Sequence, residues 1–382
     1  MNGGSMEPLV HPLVALLYQA TPPPEIDGIR KPMKPGGYSD SGADIAHALR
    51  AAGVPVLTPR AHPDATQALD WVFPDTAEGI AEALGQGARV LWANTVLFNG
   101  HPLETVAHED VRIVGQHPSR VDEYDDKWLT RQVLRESGCP VPAAIQAATG
   151  DGPETLALDA LTEARLEERG LRFPLVVKPI RGRGSEGVRA VHSLAELKQY
   201  AAGLLATRDA SGAPRYGQRL MVEQYLPGTE VTLTVMPPGS YLIGGSERTY
   251  TQHWPLPAVR RFNHHDGIAP YNGVVAVVNN SVRISGTERI QPAMQRLEAW
   301  CTVAARKVRA LAPIRIDCRA SEEGGFFLFD LNMKPNMTGP GRPGREDQDN
   351  LSSLAARGVG WSYPDLLLNM LRQAWSPCIK GG

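Results

Sequence analysis

Cysteine is scarce in this chain of 382 residues, with four at Cys139, Cys301, Cys318 and Cys378. No two stand in C-x-x-C spacing, which removes a disulfide scaffold, a zinc ribbon and a thioredoxin-type redox pair from consideration. No apolar run approaches the roughly 18 residues of a membrane span, and no secretory-type leader is visible. Charge of either sign is nearly cancelled: 39 basic and 41 acidic residues leave a formal −2, too little to gather nucleic acid or an anionic membrane. No G-x-G-x-x-G follows the first apolar strand and no glycine loop ends in G-K-[ST], which argues against a Rossmann dehydrogenase and a P-loop enzyme. These absences point to a reduced, cytoplasmic protein that works on small molecules.

The chain exceeds the usual limit for one core, so two or three units sharing a cleft are expected. Leu13–Tyr18, Val54–Leu57, Trp71–Phe73, Ala88–Trp92 and Val111–Val114 read as strands, with helical rhythm over Asp44–Ala52. The spacing predicts a parallel α/β unit over residues 7–118. A helix from Ser119, its cap, to Ser137, stopped by Gly138 and Pro140, leads into a second unit at 119–235. That unit has glycine-separated strands and one helix, and is expected to be a small antiparallel lid. Residues 236–382 return to helix, two strands and a final helix, giving a mixed α/β and α+β chain.

The densest chemistry lies in Arg315–Cys318 and Phe326–Asn332, two strand-like runs either side of a glycine-containing turn. Side chains alternate across a strand, so Arg315 and Asp317 share one face, and Asp330 and Asn332 share one face of the neighbour. Two carboxylates and an amide oxygen are hard ligands of the kind magnesium takes. An arginine beside them suits a developing oxyanion. Taken alone, the four also read as the solvated face of an amphipathic hairpin. Upstream, Pro174–Pro179 is an apolar strand carrying Lys178, followed by the loop Arg181-Gly182-Arg183-Gly184-Ser185-Glu186-Gly187. Glycine lets such a loop bring its amides close to an anion. Glu223-Gln224-Tyr225-Leu226 and a Pro-Gly turn precede Glu230–Val235, read as a half-buried hairpin with Glu230, Thr232 and Thr234 on one face. Glu230 suits ribose hydroxyls, or equally a solvated strand edge.

In this order the pieces resemble the ATP-grasp superfamily, in particular its D-alanine–D-alanine ligase branch, from about residue 13 to 375. Asp126-Lys127 resembles the family's Asp-Lys pair, and Val177-Lys178-Pro179 its second phosphate lysine. Gly184-Ser185-Glu186-Gly187 is similar to the loop over the phosphates, where Arg183 and Ser185 would contact ATP. Glu223, Gln224, Tyr225 and Leu226 resemble the hinge that holds adenine, and Glu230 the ribose position. Arg315-x-Asp317 and Asp330-x-Asn332 match the signature arginine and the metal ligands. Met333–Thr338 resembles the family's Pro-Gly-Met-Thr, with Asn336 in place of the glycine. Gly36-Gly37-Tyr38-Ser39 resembles the opening glycine loop, with Ser41 where the ligase proper has a glutamate that holds an amino group. Asp330 replaces the usual glutamate, and Arg260–His265 stands where the family has a Lys-Tyr pair.

The resemblance implies ATP and magnesium, or manganese, used to activate a carboxylate as an acyl phosphate and pass it to an amine. Arg315 would be the catalytic residue, and Asp317, Asp330 and Asn332 the metal ligands. No side-chain nucleophile is needed, so neither the cysteines nor His264 and His265 are required as covalent catalysts. Arg342 and Arg345, whose guanidinium groups fit a carboxylate, join Ser41, Arg261 and Thr338 as candidate contacts to amino-acid-like substrates. Trp254 is a candidate for the pocket wall. The family also suggests a homodimer. An acceptor thiol or hydroxyl, a kinase reaction, and a nucleotide-binding regulator without turnover remain alternatives.

Overall fold

Short runs of apolar and β-branched residues, punctuated by glycine and proline, fold into three successive sheets. The computed structural model describes residues 12–377 other than 27, 107, 151, 153, 183, 211, 265, 266 and 269–276. Arg183, His265 and Cys378 therefore lie outside the described residues.

The first sheet holds β1 (Val14–Tyr18), β2 (Val56–Leu57), β3 (Phe73–Pro74), β4 (Val90–Asn94) and β5 (Arg112–Val114). Its order is β2-β1-β4-β5, with β3 also on β1, and every pairing is parallel, as the strand–helix spacing predicted. Helix α1 (Ser39–Ala51) buries one face on this sheet, and α2 (Ala77–Gly85) follows β3. The turn into α1 runs through three left-handed residues, Gly36, Gly37 and Tyr38. Gly37 is obligatory there, because a Cβ would sit 1.8 Å from the Gln19 carbonyl oxygen.

The single helix expected over Ser119–Ser137 is two helices, α3 (Pro118–Tyr124) and α4 (Lys127–Glu136). Asp126 divides them: its carboxylate accepts from the Leu129 amide at 2.8 Å and caps α4, while Pro118 occupies the first turn of α3.

The second sheet, in the order β7-β6-β10-β8-β9, comprises β6 (Ala144–Ala148), β7 (Thr155–Ala157), β8 (Leu175–Pro179), β9 (Arg189–Val191) and β10 (Arg219–Gln224). It is antiparallel except between β6 and β7. With α5 (Glu163–Glu167) and α6 (Leu194–Ala206) it closes around an apolar cluster of its own.

The third sheet corrects one expectation. Strand β11 (Glu230–Met236) does not form a hairpin with β10: the Pro227-Gly228 turn carries it out of the lid, and all seven of its residues are buried. After the hairpin β12 (Gly239–Ile243) and β13 (Ser246–Tyr250) come β14 (Trp254–Pro255), β15 (Val259–Arg261), β16 (Ser281–Arg283), β17 (Ile314–Ala320) and β18 (Phe326–Asn332). The sheet runs β16-β15-β11-β17-β18, antiparallel throughout. Helix α7 (Gly286–Arg289) leads into α8 (Pro292–Lys307), which covers this sheet, and α9 (Leu351–Ala356) and α10 (Tyr363–Leu371) follow β18. One apolar cluster runs from the first sheet through α8 to β11, β17 and β18, so the N- and C-terminal parts share a core while the lid packs separately. Among the described residues no helix is long and apolar enough to cross a membrane.

Candidate active site

Strands β17 and β18 lie where period-two alternation places them. Arg315 faces Asn332, and Asp317 faces Asp330. Just beyond Asp317 the register shifts by one residue, leaving Phe329 of β18 without a partner across the ladder. The bulge has a use: the Phe329 carbonyl accepts from Lys178 Nζ at 3.1 Å, tying the third sheet to the lid. Between these sheets and the N-terminal loop lies one cavity of about 760 Å³. It is lined by Lys127, Lys178, Ser185, Glu223, Gln224, Tyr225, Leu226, Glu230, Arg315, Asp317, Asp330 and Asn332, eight from the last two sheets' strands.

The charges in the cavity hold each other in pairs. Lys178 Nζ donates to Glu223 Oε1 at 2.6 Å, both groups almost fully buried. Glu223 Oε2 is buried and takes no hydrogen bond among the described residues, an acceptor suited to an incoming N–H donor. Lys127 Nζ stands 3.2 Å from Asp330 Oδ1. Burial works against the Lys127 ammonium, but Asp330 and Asp125 outweigh it and lift the lysine above its ordinary range. Burial likewise opposes the Asp330 charge, yet Lys127 and Lys178 keep that carboxyl below the usual carboxylate range. Asp317 goes the other way: burial, with Asp330 opposite, pushes it up in spite of Arg315. Glu223 is also raised by burial, against the pull of Lys178.

This donor set fits a divalent cation. Two carboxylates face one another across the hairpin, Asp330 adding to the burial that raises Asp317, and a cation between them would remove that repulsion. Asn332 Oδ1 accepts from the Lys334 amide at 2.9 Å, which fixes the side chain, and a carbonyl oxygen keeps a second lone pair for metal. Asp317 is held by Thr232 Oγ1 at 2.7 Å and by Arg315 at 3.3 Å, so β11 braces this carboxylate from the neighbouring strand.

The family model described as D-ala D-ala ligase C-terminus matches residues 155–372, more than half of the chain. The chain belongs to that family. It is 27% identical over 251 residues to D-alanine–D-alanine ligase B of Pseudomonas putida, covering 65% of this chain and 64% of that protein. The D-alanine–D-alanine ligase of Aquifex aeolicus is 28% identical over 197 residues, 51% of this chain and 55% of that one. The chain thus spans less than two thirds of the length of these curated relatives. Solved structures of D-alanine–D-alanine ligases from Bacillus anthracis, complexed with ATP, and from Coxiella burnetii superpose with TM-scores of 0.58 and 0.60. They cover 94% and 95% of this chain, and 95% and 94% of theirs, at 16% and 14% identity. That likeness is one of fold, the ATP-grasp fold.

Several residues expected at the substrate of this D-ala D-ala ligase family member lie elsewhere. Arg342 and Arg345 do not line the cavity. Their Nε atoms bond Asp44 of α1 at 2.9 and 3.0 Å, and Asp44 is wholly buried. Ser41 is buried beside the loop, donating to the Tyr38 carbonyl at 3.1 Å and accepting from Asn94 at 3.0 Å. Arg261 sits on β15 opposite Glu230, and Thr338 bonds Asn336 at 2.9 Å; neither lines the cavity. Trp254 is stacked on Tyr250 at 4.2 Å within an aromatic cluster away from the cavity. Gln224 clasps the backbone of Arg172 with its amide, at 2.8 and 3.0 Å, so its side chain serves the lid.

Other residues join the cavity without having been singled out. Arg319, two positions after Asp317, stacks on Tyr225 and lies 3.8 Å from Glu230, whose Oε2 also meets His264 at 2.9 Å. The strand period that placed Arg315 and Asp317 on one face also extends to Arg319. Lys334 and Tyr38 meet at the cavity wall, Nζ 3.5 Å from the ring centroid. Nothing local in the sequence brings those two together.

Proposed function

We propose that this protein is an ATP- and magnesium-dependent ligase that activates a small carboxylate as an acyl phosphate and transfers it to an amine of the amino-acid class. The observation that carries this reading is the convergence of Lys127, Lys178, Arg315, Asp317, Asp330 and Asn332 on a single cavity between lid and third sheet. Lys127 and Lys178 would exchange their present carboxylate partners for the phosphates. Magnesium, held by Asp317, Asp330 and Asn332, would supply charge neutralisation at the transferring group. Arg315, oriented by Asp317, then stands ready for the tetrahedral oxyanion formed as the amine attacks and phosphate leaves. Glu223, Tyr225 and Leu226 would receive the base and Glu230 the ribose. Cys139, Cys301 and Cys318 are buried thiols outside the cavity, in keeping with a reaction that needs no covalent enzyme intermediate and with a cytosolic setting. We place the lid's end at the Pro227-Gly228 turn, since β11 belongs to the third sheet.

The test is phosphate release from magnesium–ATP with carboxylates and amines supplied singly and in pairs, for the wild type and for Asp330→Ala and Arg315→Ala. Release that needs both substrates, yields an amide by mass and vanishes in both variants is expected. Tight ATP binding with no release under any pair would overturn the ligase reading in favour of a nucleotide-binding regulator.

A further inference from the structure

Strand register lines up three charges across the third sheet. On β11, Glu230 stands opposite Arg261 of β15 on one side and Arg319 of β17 on the other, and directly opposite residues share a face. Glu230 is 2% exposed, so its carboxylate depends on partners within the protein. Its Oε2 lies 3.8 Å from Arg319 Nη1 and 2.9 Å from His264 Nε2.

Arg319 holds more than this acid. Nε donates to the Gly228 carbonyl at 3.2 Å, in the turn where the chain leaves the lid, and Nη1 donates to the Gly267 carbonyl. Nη2 donates to the Tyr225 hydroxyl at 3.3 Å, with the guanidinium 5.1 Å from the centroid of that ring. Gly267, at φ 77°, closes on the same phenol, where a Cβ would stand 2.5 Å from the hydroxyl oxygen. One side chain therefore ties together the end of the lid, β11, β17 and the segment after β15. A guanidinium suits this task because its donors point in fixed directions within one plane, whereas an ammonium is a single point. Tyr225, Leu226, Glu230, Gly267, Ile268 and Arg319 all line the one cavity.

We propose that Arg319 is a positioning residue for the nucleotide, which aligns Glu230 with the ribose hydroxyls and Tyr225 with the base, and so makes the site select a ribonucleotide over a deoxyribonucleotide. This rests on the ATP part of the ligase reading and deepens it; no step of the transfer runs through Arg319. Loss of the guanidinium removes the contacts that fix Tyr225, Gly267 and one side of Glu230 together. A hydrogen bond from ribose to a misaligned carboxylate is then worth little more than the bond to water it replaces.

Binding separates this role from catalysis. Affinities for magnesium-loaded ATP, 2′-deoxyATP and 3′-deoxyATP are measured by calorimetry in the wild type, Arg319→Met and Arg319→Lys, with melting temperatures taken alongside. In the wild type, at least one of the deoxynucleotides is expected to bind about tenfold or more weakly than ATP, the scale of one hydrogen bond to a charged group. Arg319→Met should bring that ratio close to one, and Arg319→Lys, which keeps the charge without the fork, should restore little of it. A wild type that binds all three nucleotides alike overturns the proposal. So does a ratio unchanged in Arg319→Met while all three affinities fall in proportion, the result of a merely structural role. Should Arg319→Met not fold, a ratio lost in Arg319→Lys supports the proposal and a ratio kept there overturns it. Failure of all three nucleotides to bind removes the proposal together with the ATP reading. ATP that binds without supporting amide formation sinks the ligase reading alone and leaves the ratio to decide.

Discussion

Lys127 Nζ lies 3.2 Å from Asp330 Oδ1, joining the first residue of α4 to β18. The two charges thus neutralise each other, and in the proposed reaction, where Lys127 would meet phosphate and Asp330 the metal, they would have to part. Asp330→Asn separates the two roles. Turnover should fall by a factor of roughly a hundred or more, the usual cost of removing a charge that stabilises the transferring group. Affinity for ATP without metal should hold or rise, because Lys127 no longer has a competing partner. Phosphate release and a metal-free ATP titration check the two halves; a parallel loss in both would mean that Asp330 serves only to hold the fold.

The Lys178–Glu223 pair is buried almost completely, so removing one partner strands a charge. Glu223→Ala is expected to lower folding stability by about 3–5 kcal/mol, read from the urea midpoint. Lys178→Met combined with Glu223→Leu should recover most of that loss, since a packed apolar pair replaces a buried ion pair at little cost. The double variant should still fail to bind ATP tightly. Stability and binding that recover together would remove both residues from the nucleotide site.

What could be read from the sequence follows from which contacts are periodic. The facing of Arg315, Asp317, Asp330 and Asn332 needed only the alternation of a strand and two adjacent segments, and it holds. The parallel first sheet followed from strand–helix spacing in the same way. The partner of β11 did not: a two-residue Pro-Gly turn suits a hairpin, but seven buried residues need cover on both faces, which β15 and β17 with α8 and α9 provide and β10 does not. Asp126 could equally sit within one long helix or cap a new one, and only its bond to Leu129 decides. The bulge at Phe329 has no mark in the sequence, because phenylalanine fits a regular strand as well.

Arg342 and Arg345 show the same limit with a functional consequence. A guanidinium pair after the pocket motif suits a substrate carboxylate, yet its carboxylate is Asp44, 298 residues before Arg342. Gly341 permits the approach, since a Cβ there would meet the Asp44 carbonyl oxygen at 2.1 Å. Asp44→Ala should therefore cost about 3–5 kcal/mol by leaving the Arg342 charge buried without its carboxylate. Arg345→Ala should lower the melting temperature and leave KM for both organic substrates unchanged. A rise in KM at unchanged melting temperature would return Arg345 to the substrate site.

Acid sensitivity should trace in part to His253, outside the site. Its Nε2–H donates to the Ala310 carbonyl, 2.8 Å away; burial lowers its pKa from the ordinary histidine value, against the pull of that hydrogen bond and with Arg306 adding to the lowering. Because it contacts a carbonyl, the neutral ring must carry its proton on Nε2. A histidine whose folded pKa is depressed makes the folded state bind protons less readily than the unfolded chain. Its contribution to stability is present above the unfolded value near 6.5 and is lost as pH falls from there through the folded pKa. Wild-type protein should lose melting temperature between neutral pH and about 5, and His253→Gln, which keeps an N–H donor for Ala310 but cannot titrate, should lose less over the same interval. Identical pH slopes in the two proteins would assign the acid loss to other groups.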